Sequence, residues 1–183
     1  SSGVSSVSVD NRACGREAMA HLIAKGHRKI AVMGGKRGTG DGIGLRFQGA
    51  MDALKAYNLN FDEGLYASSS FSMEGAYRSA LELIGRRRDF TALFTMSDVM
   101  AIGAMRALRE SGLGVPEDVS VIGFDGIELA RFTQPPLATI EQPAAEIARA
   151  GVELMLRLLD DPEDCAYMIV EGRLIEGGSV RAV

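Results

Sequence analysis

Tryptophan is missing from these 183 residues, histidine and cysteine occur twice each, and neither sign of charge dominates. Each shortage removes a class of function. His21 and His27 fall mid-helix and at a helix end in the pattern described below, poor places for a general base. Cys14 and Cys165 lie far apart and make no metal-ligand or redox spacing, so they are expected to be reduced, partly buried thiols. No serine or cysteine stands in a nucleophile-elbow pattern, and Met19, Met51, Met100 and Met105 suit core filling better than ligation. No catalytic residue, metal site or cofactor is therefore expected. With 20 basic and 24 acidic residues the net charge is −4, and there is no basic stripe to neutralise phosphates. The chain by itself is not expected to bind DNA. Its densest basic cluster, Arg86-Arg87-Arg88, closes a helical pattern, where it complements the helix dipole. No apolar run nears the roughly 18 residues of a membrane span, and no signal-peptide pattern opens the chain. "SSGVSSVSVDN" begins abruptly, as an excised fragment or one carrying a vector scar would.

Glycine, in contrast, is plentiful, and it concentrates in "KIAVMGGKRGTGDGIGLRFQGA", Lys29 to Ala50. An apolar run stops at a glycine-rich loop and a helical pattern follows, as in nucleotide-binding turns. The spacing argues against that reading. A G-x-G-x-x-G fingerprint begun at Gly38, Gly40 or Gly42 places Ile43, Leu45 or Phe47 where the third glycine belongs, and no Gly-Lys-Ser/Thr ends the loop.

Strand and helix patterns alternate along the chain. Val4–Val9 is β-rich; Asp10-Asn11 offers an N-cap to a helix carrying Met19, Leu22 and Ile23, and Gly26 is placed to stop it, with His27 near its last carbonyls. Ile30–Met33, Leu65–Ala67, "FTALFT", "DVSVIGFD" and "ATIE" are strand-like. Leu45–Tyr57, Met73–Gly85, Met100–Gly112 and Ala144–Leu159 are helix-like, and Tyr167–Val170 and Arg173–Ile175 form two short strands around Gly172. This alternation specifies an α/β fold, a doubly wound, mainly parallel sheet covered on both faces. In such sheets ligands sit beyond the carboxyl ends of the strands. That rule selects Gly34 to Arg46, Ser97, Asp98, Asp125, Gly126 and Gln142, a polar, hydrogen-bonding set.

Four stretches, "VSVDN…AMAHLIAKGHRKIAVMGG", "LRFQGAMDAL", "FTMSDVMAIGAMRALRESGLGVPEDVSVIGFDG" and "PPLATIEQP", resemble the lac repressor (LacI/GalR) family of bacterial transcription regulators, in their effector-binding core. The likeness runs from about Val7 to Ile175. It implies a periplasmic-binding-protein-like architecture of two lobes around an effector cleft. On that basis residues 1–28 are expected to be a remnant of the N-terminal lobe and 29–140 the C-terminal lobe. Residues 141–160 would be a helix returning to the N-terminal lobe and 161–183 the closing strands and tail. The DNA-binding headpiece and the first βα units of the family are expected to be missing, so operator DNA would be a partner only through that headpiece.

Position by position, the resemblance makes Arg46 the family arginine that binds effector oxygens. Asp125 becomes the aspartate of the "GFD" turn, Ser97 and Asp98 the polar pair of the "SD" turn, and Phe71 lies near the aromatic stacking residue. Asp98 also suits an N-cap, a compatible role. The glycines are expected to let the loop reach across the cleft mouth and position Arg46, whose five donors in a fixed fork suit a sugar or a small carboxylated metabolite. Arg37 has no family counterpart. Two positions depart from the pattern: Gly126, where a polar residue is frequent, and Gly177, where an arginine is usual. Family pairing through C-terminal lobes points to Ile102, Met105 and Leu129 to Thr133, including Phe132, as a homodimer interface. Exposed apolar stripes on the first helix and on Ala144–Leu159 would add to association. The expected function is effector sensing and dimerisation in a cytoplasmic LacI-type regulator, with a periplasmic solute-binding protein for sugar transport as the alternative.

Overall fold

Strands and helices alternate along residues 5–183, the part of the chain described by the computed structural model. They are β1 (Ser6–Val9), α1 (Asn11–Ala24), β2 (Ile30–Gly34), α2 (Gly42–Ala56), β3 (Tyr66–Ser68), α3 (Met73–Arg86), β4 (Ala92–Thr95), α4 (Asp98–Glu110), β5 (Ser120–Asp125), β6 (Ala138–Glu141), α5 (Ala144–Asp160), β7 (Tyr167–Val170) and β8 (Arg173–Ile175). The expected first strand is present from Ser6; its Val4 lies outside the described residues.

Six strands form one sheet in the order β3-β2-β4-β5-β6-β8, parallel except for β8, which runs antiparallel to β6. Its central strands show no polar alternation: Ala31, Val32, Met33, Leu93, Phe94, Val121, Ile122 and Phe124 are all buried, as helices on both faces require. β1 and β7 form a separate two-stranded parallel sheet, with Ser6 opposite Tyr167 and Val9 opposite Val170. The two tail strands flanking Gly172 thus belong to different sheets. Three short segments link the sheets: residues 10–11, 142–143 and 171–172.

α1 departs from expectation. Asp10 caps it, accepting from the Ala13 amide at 2.9 Å, and it buries Cys14, Ala18, Met19, Leu22 and Ile23 in the main core. Its close neighbour is α2. A Cβ on Gly15 would overlap the Arg46 carbonyl, and one on Gly49 would overlap that of Arg12, so glycine at both sites permits the close crossing. α1 therefore sits with the six-stranded sheet, and of residues 1–28 only β1 joins the small sheet. The apolar stripe of α1 is covered. That of α5 is not: Leu154 is buried, while Met155, Leu156 and Leu159 are more than half exposed.

The tail is part of the core. Ser179 has no exposure, accepts from the Ala138 amide at 2.8 Å and donates to the Val121 carbonyl at 2.6 Å. Val183 donates to the Lys25 carbonyl at 2.9 Å. Gly177 explains its departure from the family arginine: any Cβ there would stand 2.5 Å from the Pro136 carbonyl. His27, expected beside the last carbonyls of α1, instead bridges Thr91 Oγ1 (2.9 Å) and the Arg181 carbonyl (3.1 Å). Arg28 reaches Ile23 O in its place, at 2.9 Å.

Candidate functional site

α2 begins three residues earlier than its apolar pattern suggests. Asp41 caps it, accepting from the Gly44 amide at 2.9 Å. Thr39 O occupies the place a Cβ on Gly44 would need, which accounts for glycine inside the first turn. Arg46 is therefore a second-turn residue, and it is buried rather than loop-edge, with a relative exposure of 7%. Its guanidinium carbon lies 3.6 Å from the centre of the Phe124 ring. Nε donates to Asn11 Oδ1 at 2.8 Å and Nη1 to the Met96 carbonyl at 2.6 Å. Nη1 also faces Asp125 Oδ1 at a loose 3.5 Å.

Asp125 closes β5 with φ at 124°, a conformation L-residues rarely adopt and one that clusters at functional sites. Gln142 holds it from two directions: its amide donates to the Asp125 carbonyl at 3.0 Å and its Nε2 to Oδ1 at 2.7 Å. Gly126 follows with φ at 72°, and a Cβ there would run into Glu141, so the polar residue common in the family has no room. Burial pulls the Arg46 guanidinium below its ordinary value against the opposing charge of Asp125. Burial likewise pushes the Asp125 carboxyl up against Arg46.

Among the described residues no hydrogen bond engages Arg46 Nη2 or Asp125 Oδ2, yet no buried side-chain nitrogen or oxygen lacks a partner. Both atoms therefore meet solvent. The pair presents one charged donor and one charged acceptor side by side, a combination suited to the hydroxyls of a small polar molecule.

Of the other expected effector residues, Asp98 and Ser97 are buried and Phe71 stands at the carboxyl end of β2. Asp98 has no exposure; Oδ1 accepts from Thr139 Oγ1 at 2.6 Å and Oδ2 from the Ile127 amide at 2.9 Å. Burial pushes its carboxyl up, against those hydrogen bonds. A Cβ on Gly123 would overlap Oδ1, so glycine in mid-strand admits this carboxylate between α4, β5 and β6. Asp98 thus fastens the turn behind Asp125 and does not face the opening. The N-cap of α4 is Ser97, also buried, which accepts from the Met100 amide at 3.2 Å. Phe71 is half exposed, its ring edge over Gly35 at the end of β2. Sequence reasoning misses the contacts that Asn11, Met96 and Phe124 make with Arg46, and only their places at strand ends and crossings point to them.

A cavity of about 410 Å³ is lined by Met96, whose carbonyl accepts from Arg46, and by Lys36, Thr39, Ile43, Phe47 and Tyr66. Arg37, which has no family counterpart, stacks there on Tyr66 and Phe47, its guanidinium carbon 4.9 and 5.6 Å from their centres, and pairs with Glu63. A larger cavity, about 650 Å³, lies between α1, the end of α2 and residues 169–172, away from Arg46 and Asp125. On the face of α4, Ile102, Arg106, Arg109, Phe132 and Thr133 line a groove of about 440 Å³. Phe132 is 73% exposed and Leu129 46%, whereas Met105 lies beneath at 4%. No helix among the described residues is long and apolar enough to cross a membrane.

Residues 19–180 match the periplasmic binding protein-like domain family. The transcriptional repressor CytR of Escherichia coli (strain K12) is 36% identical over 181 residues, covering 97% of this chain and 52% of CytR. Among solved structures, a complex of the regulator CelR with cellobiose superposes with a TM-score of 0.90 at 34% identity, over 97% of this chain and 54% of that one. A LacI-family regulator from Enterococcus faecium with bound ribose gives 0.91 at 28% identity, over 100% and 68%. The chain spans about half the length of the curated relatives it matches.

Proposed function

The chain belongs to the LacI family of transcriptional regulators, within the periplasmic-binding-protein-like domain, and from that premise we propose that it is the effector-sensing part of such a regulator. Its ligand is a small sugar-like metabolite, held where the six-stranded sheet faces the lobe that includes β1, α5 and β7. Arg46 Nη2 and Asp125 Oδ2 take its hydroxyls, while Asp98 and Ser97 build the turns behind them. Two copies pair through α4 and the segment 129–133, with Phe132 as the exposed anchor. Operator DNA is bound by a headpiece outside these 183 residues, in the cytoplasm. The relatives are transcriptional regulators, not enzymes.

The observation that carries the proposal is the solvent-facing donor and acceptor of a buried arginine and a strained aspartate. Ligand between the lobes would favour one lobe angle, and it shifts DNA affinity only by its differential affinity for the two states, about 1–3 kcal/mol. Calorimetry against a sugar panel including ribose and cellobiose tests the site. Arg46→Ala is expected to weaken binding by about 1.5–3 kcal/mol, the range for hydrogen bonds to a charged group. Unchanged affinity in a folded variant would refute the assignment. The regulator reading is favoured over a transport protein because the matched relatives are regulators across nearly all of this chain.

A further inference from the structure

Two residues that touch Arg46 and Asp125 stand on the segments that cross from the large sheet to the small one. Asn11 ends the β1–α1 crossing as the first residue of α1, and Gln142 is the first after β6 on the way to α5. Asn11 Oδ1 accepts from Arg46 Nε at 2.8 Å, and its Nδ2 donates back to Val9 O, the last residue of β1, at 3.3 Å. Gln142 holds Asp125 by both backbone and side chain. A continuous chain of polar contacts therefore runs from β1 through Asn11, Arg46, Asp125 and Gln142 into α5. Its weakest link is the middle one, the 3.5 Å gap between Arg46 and Asp125.

We propose that Asn11 and Gln142 are positioning residues that tie the Arg46–Asp125 pair to two of the three crossings, so that filling the pair and setting the angle between the sheets are one event. A ligand bridging Nη2 and Oδ2 closes the loose link and draws both crossings toward one arrangement. With the link open, each crossing is held by its own partner and the small sheet samples a wider range of angles. The inference rests on the effector reading of Arg46 and Asp125 given above. It adds which atoms carry the signal out of the site.

Spin labels on exposed Cys165, near β7, and on a Glu82→Cys substitution on α3 report the distance between the two sheets. Cys14 is buried, with its thiol pushed up to about 11 by burial, and resists labelling. Asn11→Leu and Gln142→Leu are each expected to broaden the distance distribution relative to the parent chain. Asn11→Asp keeps the acceptor for Arg46 Nε but loses the donor to Val9 O, so it should broaden the distribution less than Asn11→Leu, a grading that the Arg46 contact alone accounts for. Asn11→Leu combined with Arg46→Leu should broaden it no further than either alone, because both break one circuit. Parent-like distances in both leucine variants, or a distribution for Asn11→Asp as broad as that for Asn11→Leu, overturn the inference. Failure of the effector reading shows separately, as sugar affinity unaltered by Arg46→Leu whatever the distances do.

Discussion

Asp98→Ala distinguishes a carboxylate that builds the site from one that touches ligand. The side chain has no exposure and serves two donors, the Thr139 hydroxyl at 2.6 Å and the Ile127 amide at 2.9 Å. Truncation leaves both without an acceptor inside the protein, at about 1–3 kcal/mol each. Relief of the cost of burying the carboxylate offsets part of this, leaving a net loss of about 2–4 kcal/mol. Asp98→Asn keeps one acceptor but turns an amide toward the other donor, so roughly half that loss is expected. Urea unfolding followed by circular dichroism measures both, provided the slope is unchanged between variants. Against a total stability of about 5–15 kcal/mol, the alanine variant would be marginal. A stability within about 1 kcal/mol of the parent chain, together with lost sugar binding, would return Asp98 to the effector contacts that the sequence motif suggests.

Gly49→Ala should destabilise by about 1–3 kcal/mol or more, since its methyl would overlap the Arg12 carbonyl and push α1 off α2; a thermal midpoint equal to that of the parent would show that the crossing is not tight. Burial lowers the pKa of His27 from its ordinary 6.5, so the folded chain binds that proton less readily than the unfolded one. The stability linked to neutral His27 is complete above pH 6.5 and is lost as pH falls below it. His27→Gln should flatten that decline, leaving the part due to His21, also lowered chiefly by burial; an identical pH profile in the variant would count against the bridge to the tail. Phe132→Asp should convert a dimer to a monomer of 19.5 kDa in light scattering; a monomeric parent chain would refute the proposed pairing face.

Much of the fold is legible as periodicity. The strands Tyr167–Val170 and Arg173–Ile175 are visible in the sequence to the residue, and Arg46 and Asp125 follow from the rule that ligands lie beyond strand ends. What a strand pattern omits is the partner. Nothing local distinguishes β7, which pairs with β1, from β8, which pairs with β6. The start of α2 is hidden because Gly42 and Gly44 are poor helix formers, and only the approach of Thr39 O makes glycine necessary there. Asp98 misleads for a related reason. A polar residue at a strand end has the same appearance whether it turns toward the opening or inward, and the space that admits it inward is created 25 residues later at Gly123.

The pairing of β1 with β7 has a consequence for the order in which the chain assembles. Ser6 meets Tyr167, so the small sheet closes a loop of about 160 residues, and the entropy of that closure must be met before its few hydrogen bonds form. Two strands of four residues do not persist on their own. They meet only once the six-stranded sheet and α5 have brought the two ends of the chain together. Assembled last, this sheet is the first to open, and amide exchange at Val7 and Ile169 should outrun that at Phe94 and Ile122. The small sheet, whose angle is proposed to carry the signal, thus depends for its existence on the large one.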